Sequence, residues 1–213
     1  EGQAGDCQAG EKEGRLTRAA AVAGCRDILD FWFLSPGQVG HGAYRSEWFR
    51  KDAAFDAAIR QRFADAVEAA LGGEPPAGSD EAQLAHILLL DQFTRNIYRN
   101  TPRAFAGDAL ALALATTLVA TGRDKNLEPW PRCFAYLPFE HAESPIEQER
   151  SVALFAALAR ERQEPAFDSV LDYAIRHREV VARFGRFPHR NAILGRASTA
   201  EEAAFLAEPG SSF

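Results

Sequence analysis

The sequence predicts an all-α protein built as an antiparallel array of helices. Three observations carry this reading. Alanine dominates the chain while runs of Val, Ile and Thr are scarce, a balance that favours helix over strand. Apolar residues recur at helical spacing, as at Phe55, Ile59, Phe63, Val67 and Leu71. Gly and Pro fall between such stretches, where helices stop, and no convincing period-two alternation appears.

The elements follow in order. A first helix is expected over residues 15–33, with Ile28, Leu29, Phe31, Trp32 and Phe33 as its apolar end and Ser35-Pro36-Gly37 as its stop. A second is expected over residues 53–71, ended by Gly72-Gly73 and Pro75-Pro76. Ser79 is placed to cap a third that runs to about Tyr98. One face of that helix begins as Leu84 and Leu88 and turns into Asp91 and Arg95. A fourth helix is expected over residues 103–121, with Pro102 at its start and Gly122 after it. Residues 123–131 read as a loop, and Phe134 to Phe139 as a short helical or irregular segment bent by Pro138. Ser144-Pro145-Ile146-Glu147 has the form of a capping box for a fifth main helix reaching about Arg162. A sixth is expected from Pro165 to Phe184, with Gly185 as a left-handed cap, and Ser198-Thr199 caps a last short helix ending near Leu206. Residues 1–14 read as a disordered tail or an appended remnant, and residues 15–213 as a single all-α domain.

Composition narrows the function classes. A net charge of −6 argues against general nucleic-acid binding. Of the 24 basic residues only Lys12, Lys51 and Lys125 are lysines. The plain reading of that excess is a GC-rich genome; the functional one is planar, bidentate grip on carboxylate or phosphate. Cys7, Cys25 and Cys133 have neither CxxC nor zinc-finger spacing, which fits a reducing cytoplasm. No run is expected to match the roughly 20 apolar residues of a membrane span. The chain has no phosphate-binding Gly-rich loop, dinucleotide fingerprint, His-Glu-x-x-His or Gly-x-Ser-x-Gly, and no cofactor is predicted.

The chemistry concentrates in three runs. Residues 184–191, Phe-Gly-Arg-Phe-Pro-His-Arg-Asn, put Arg186, His189, Arg190 and Asn191 in one loop after a helix end. The run Asp91-Gln92-Phe93-Thr94-Arg95-Asn96-Ile97-Tyr98-Arg99 closes an otherwise apolar helix. His141 and Glu143 follow Tyr136-Leu137-Pro138, and an irregular backbone there can set them side by side as acid and base or as metal ligands. His177 lies on the apolar face of Val170, Tyr173, Val181 and Phe184, where a histidine is usually buried and hydrogen-bonded. A structural reading competes at each place: arginines in such loops lock helix ends or pair with acids such as Asp91.

These runs resemble a bacterial family of unknown function whose members adopt an all-helical, TPR-like fold. Leu89-Leu90-Asp91-Gln92-Phe93 with Arg95-Asn96 and Arg99, Tyr136-Leu137-Pro138 with His141 and Glu143, His177, residues 184–191, Leu194-Gly195-Arg196 and Ser198-Thr199 carry the resemblance over residues 28–213. It implies the fold and, by analogy, a peptide-binding scaffold; it implies no catalytic residues.

The residues themselves favour a small anionic metabolite as ligand. Arg95, Arg99, Arg186 and Arg190 are expected to grip its carboxylate or phosphate, with Asn96, His177, His189 and Asn191 around it. Asp91, His141 and Glu143 are the acid–base candidates should the protein be an enzyme. A peptide partner is the alternative, and a metal-dependent enzyme using the acids and histidines is a third.

Overall fold

The structure, a computed structural model, describes residues 24–73, 76 and 78–211. Residues 15–23 of the expected first helix and the expected tail over residues 1–14 lie outside them. Among the described residues the chain is all helical, without strand. Its α-helices are α1 (Cys25–Phe33), α2 (Ala53–Leu71), α3 (Asp80–Ile87), α4 (Thr94–Ile97), α5 (Asp108–Ala120), α6 (Pro129–Glu140), α7 (Pro145–Arg162), α8 (Pro165–Phe184) and α9 (Ala200–Leu206). Asp52 caps α2 by accepting from the Ala54 and Phe55 amides, and Ser79 caps α3 by accepting from Ala82. Gly185 ends α8 at φ 70°, a left-handed conformation that glycine adopts without strain. Thr199 and Glu202 form the capping box of α9.

Four expectations need correcting. The third helix is not uniform: a π-helical segment, Leu88–Phe93, joins α3 to α4. The Thr94 amide bonds to the Leu89 carbonyl five residues back, and the Thr94 hydroxyl takes the Leu90 carbonyl at 2.7 Å. The expected fourth helix is broken. Pro102–Phe105 is a 3-10 turn, and α5 starts afresh at Asp108, with Gly107 before it packed directly against the Leu90 backbone. Residues 129–131, expected in a loop, open a regular helix, α6, and of the two readings of Phe134 to Phe139 the helical one holds, with Pro129 in the first turn and Pro138 inside. At α7 Ser144 makes no side-chain cap bond, and Glu147 faces Arg150 at 3.8 Å instead.

Another departure concerns length. Pro102–Ala120 spans 19 residues with mean hydropathy 1.4, long and apolar enough to cross a membrane by composition alone, with 28% of it buried in the fold. Alternating Ala and Leu raise the average there without any unbroken run of large apolar side chains.

The core centres on aromatic rings. Trp32 of α1 is fully buried against Phe93, Phe134, Phe55 and Trp48, with centroids 5.3 to 6.5 Å away. These rings join α1, α2, the π segment and α6. Helices α7 and α8, linked by Gln163 and Glu164, pack along each other and against α6. A smaller apolar cluster of Val180, Val181 and Phe187 with Phe184 and Phe205 ties α8 to the following loop and to α9. The polar site lies where the π segment, the end of α6, the start of α5 and that loop meet.

Candidate functional site

Asp91 stands in the π segment and is fully buried. Gln92 Nε2 donates to its Oδ2 at 2.6 Å, His141 Nδ1 lies 2.7 Å from Oδ1, and Arg95 lies 3.2 Å from the same oxygen. Burial works to raise the pKa of this carboxyl, but Arg95, His141 and Gln92 outweigh it, and Asp91 is held far below the usual carboxylate range. An ionised carboxylate only accepts hydrogen bonds, so His141 Nδ1 carries the hydrogen. Burial keeps the ring neutral by lowering its affinity for a proton, against the pull of Asp91. Its Nε2 is therefore a bare acceptor, with no hydrogen-bond partner among the described residues, on a side chain 16% exposed.

Two arginines complete this group. Arg95 forks onto Asp108 at 2.8 and 3.1 Å and also donates to the Asp91 carbonyl at 2.6 Å. Asp108 is the first residue of α5, where a helix N-terminus favours an acid. Arg190 reaches Asp108 at 3.3 Å and donates to the His141 carbonyl at 3.1 Å. Its guanidinium lies between two rings, 4.7 Å from the Phe105 centroid and 4.6 Å from that of Phe187. Its Nε is buried without a partner. Burial and Arg95 push its pKa down to about 10, so it stays charged at neutral pH.

Behind this layer sits a second acid–histidine pair. Glu140, at the end of α6, is 3% exposed, and its Oε1 lies 3.3 Å from His177 Nδ1. That nitrogen is also 2.9 Å from the Tyr173 carbonyl. Burial, with the charge of Asp91, pushes Glu140 up to about 8, whereas burial and His141 push His177 down to about 3. Burial and Arg190 push His189 down to about 4. Two carboxyls in one site are thus driven apart, Asp91 ionised and Glu140 protonated at neutral pH.

This has a consequence for stability. Glu140 holds its proton more tightly folded than unfolded, so its contribution is complete below its unfolded value near 4.5 and is lost as pH rises through about 8. His177 and His189 act in the opposite direction, but their effect is complete by about pH 6.5. Denaturant titrations are expected to show stability falling from about pH 6.5 to about pH 8, on the order of 1 kcal/mol per unit, and Glu140→Gln is expected to flatten that slope. A wild-type slope of zero would contradict the buried acid.

The remaining expected site residues are placed elsewhere. Asn96 and Arg99 both bind Asp56 of α2, at 2.7 to 2.9 Å. Arg186 forks onto Glu202 of α9 at 2.7 and 2.8 Å. Asn191 bonds to Ser198 at 3.0 Å and accepts from Arg196 at 3.0 Å. Glu143 does not sit beside His141. Arg196 holds it at 2.6 and 2.9 Å, and it accepts the Phe187 amide at 2.8 Å. The structure thus brings Asp91, Arg95, His141, His177, His189 and Arg190 together, while Asn96, Arg99, Arg186, Asn191 and Glu143 fasten the surrounding elements.

Sequence reasoning missed Glu140, Asp108, Phe105 and the bracing role of Arg196. Asp108 carried a signal as the lone acid in the apolar stretch from 104 to 121, and Glu140 carried one as an acid directly after Leu137-Pro138-Phe139. Among the described residues no three His, Cys, Asp or Glu side chains are arranged to hold a metal ion. Two surface grooves contain none of the clustered side chains: one of about 320 Å³ beside Arg183, Phe184 and Phe205, and one of about 230 Å³ beside Leu90, Leu110 and Leu114.

Fold and site define an all-helical protein with a buried Asp–His–Arg cluster that an arginine-bearing loop closes. Residues 28–210 match the model of a family described as bacterial protein of unknown function (DUF924), and the chain belongs to that family. Its fold is similar to a solved structure titled a protein of unknown function, ATU0120, from Agrobacterium tumefaciens. The two are 40% identical, the match covers 86% of this chain and 96% of that one, and the TM-score is 0.71. No curated protein matches the chain.

Proposed function

We propose that the protein binds a small anionic molecule at the Asp91–His141–Arg190 cluster, and that His141 acts there as a general base. The observation that carries this reading is the bare Nε2 of His141, turned away from a buried, ionised Asp91 and set on the same backbone unit that Arg190 grips. A carboxylate fixes the tautomer and steadies the imidazolium that forms when the ring takes a proton. Arg95 lowers the proton affinity of Arg190, and Arg190 and His141 lower that of His177 and His189, a local positive potential that an anion relieves. The ligand's approach is past the part-exposed side chains of His141, Arg95 and Asp108. A π turn beneath Asp91 agrees with this, because such turns concentrate at functional sites.

The test is a thermal-shift screen of small carboxylates and phosphate esters near neutral pH, followed by calorimetry. At least one of them is expected to bind, and Arg190→Ala is expected to weaken it tenfold or more, in line with losing a charge-assisted hydrogen bond. Failure of every anion to shift the melting temperature, or equal affinity in wild type and Arg190→Ala, would refute the reading.

A further inference from the structure

Asp108 already stands where the two arginines of the site can meet a ligand. Arg95 donates from Nη1 to its Oδ1 at 2.8 Å and from Nη2 to its Oδ2 at 3.1 Å. Two parallel bonds of this kind are how a guanidinium takes up a carboxylate or phosphate. Arg190 adds a third donor, Nη1, 3.3 Å from the same Oδ2. The other nitrogens of Arg190 are less open: Nη2 donates to the His141 carbonyl, and Nε is enclosed. That carbonyl belongs to the C-cap of α6 and moves only with the helix end. Asp108 is free to turn, because its side chain is 24% exposed against 7% for Arg190. It is the first residue of α5 and follows Gly107, which has no side chain to cap the helix. A carboxylate that swings off the arginines therefore stays beside the positive end of α5. Charge points the same way. At neutral pH the His141 ring is neutral, and Arg95 and Arg190 face Asp91 and Asp108. The remaining acid nearby, Glu143, is held by Arg196. An anion that settles beside Asp108 is repelled at close range, whereas one that replaces it inherits both arginines.

We propose that Asp108 is the resident counter-ion of the site, and that the ligand binds by taking its place across Arg95 and Arg190. The proposal rests on the anion-binding reading above and adds what the ligand must carry: two oxygens spaced as in a carboxylate, phosphate or sulfate, able to span the Arg95 fork and reach Arg190. Asp108 thereby sets specificity, since an anion that cannot match its contacts is refused. It also lowers the affinity for those it admits, because only molecules with the seat empty can bind.

Calorimetry of the full chain with sulfate and with acetate tests this near neutral pH and at constant ionic strength, in wild type and in Asp108→Asn. The two anions separate a tetrahedral from a planar oxyanion, and the variant keeps the side chain's shape while removing its charge. At least one anion is expected to bind Asp108→Asn about tenfold more tightly than wild type, as follows when the seat is filled in about nine molecules of ten. A merely structural Asp108 predicts the opposite sign, because its loss loosens both arginines. Equal or weaker binding by Asp108→Asn overturns the proposal, and the anion reading stands if Arg190→Ala still weakens binding. A crystal structure of wild type soaked in sulfate reads the displacement directly and decides the matter if the variant does not fold. Sulfate is expected between Arg95 and Arg190 with Asp108 turned to solvent; Asp108 still forked by Arg95 in those crystals overturns the proposal. Binding of neither anion to either protein overturns both readings.

Discussion

Asp91→Ala is expected to destabilise the protein by about 3–5 kcal/mol in denaturant titrations, the range for removing one partner of a buried ion pair. The carboxylate is fully buried and accepts from Gln92, His141 and Arg95 at once. Truncation leaves three donors facing a void in the middle of a helix. Asp91→Asn fills the void but recovers only part of the loss, because an amide has one oxygen to offer three donors. The effect has a definite pH dependence. The folded carboxyl is held below its ordinary value of 3.8, so its stabilisation is complete above that value and disappears as pH falls through the folded one. The gap between wild type and Asp91→Ala is thus expected to be constant from about pH 5 to about pH 7 and to close in strong acid. A cost under about 1 kcal/mol at neutral pH would mean that Asp91 is not the charged centre of the cluster.

Gly107→Ala is the second. A Cβ there would lie 2.3 Å from the Leu90 carbonyl oxygen and 2.9 Å from the Leu90 carbonyl carbon and Cα. All three are backbone atoms, and the Thr94 hydroxyl fixes the oxygen. Relief requires moving α5 away from the π segment, and Asp108, the next residue, links Arg95 to Arg190. Overpacking of this kind costs about 1–3 kcal/mol. Gly107 has an ordinary φ of −90°, where alanine would otherwise stabilise by restricting the unfolded chain. The predicted sign therefore depends on the contact alone. A melting temperature equal to or above that of wild type in Gly107→Ala would show that the π segment and α5 are not packed this closely.

Much of the fold was legible because helix ends are written locally. The bounds of α2, α8 and α9 follow from apolar spacing and from Gly72, Gly185 and Thr199. The π segment was not legible, since its residues have the same preferences as an α-helix, and its close contact with Gly107 comes from a different stretch of chain. Helix α6 was obscured by its prolines, although Pro129 sits where no amide bond is needed and Pro138 is covered by the core. For the site, the runs that hold the chemistry stood out, but the partnerships within them did not. Asp91 and His141 lie 50 residues apart, and Arg190 meets Asp108 across 82. Which of 30 acids answers which arginine is decided by packing alone. Hence Arg99 and Arg186, alike in sequence to Arg95 and Arg190, fasten α2 and α9 instead.

The guanidinium sandwiched between Phe105 and Phe187 has few torsions left to lose. An arginine on an open surface surrenders about 2 kcal/mol of rotamer freedom when it is immobilised. In the proposed anion binding, that ordering would be complete before the ligand arrives, with the N–H vector aimed in advance. On that proposal the trade is rigidity for choice: a finger so fixed would reward molecules whose oxygen meets it in the guanidinium plane and turn away others of equal charge but different outline.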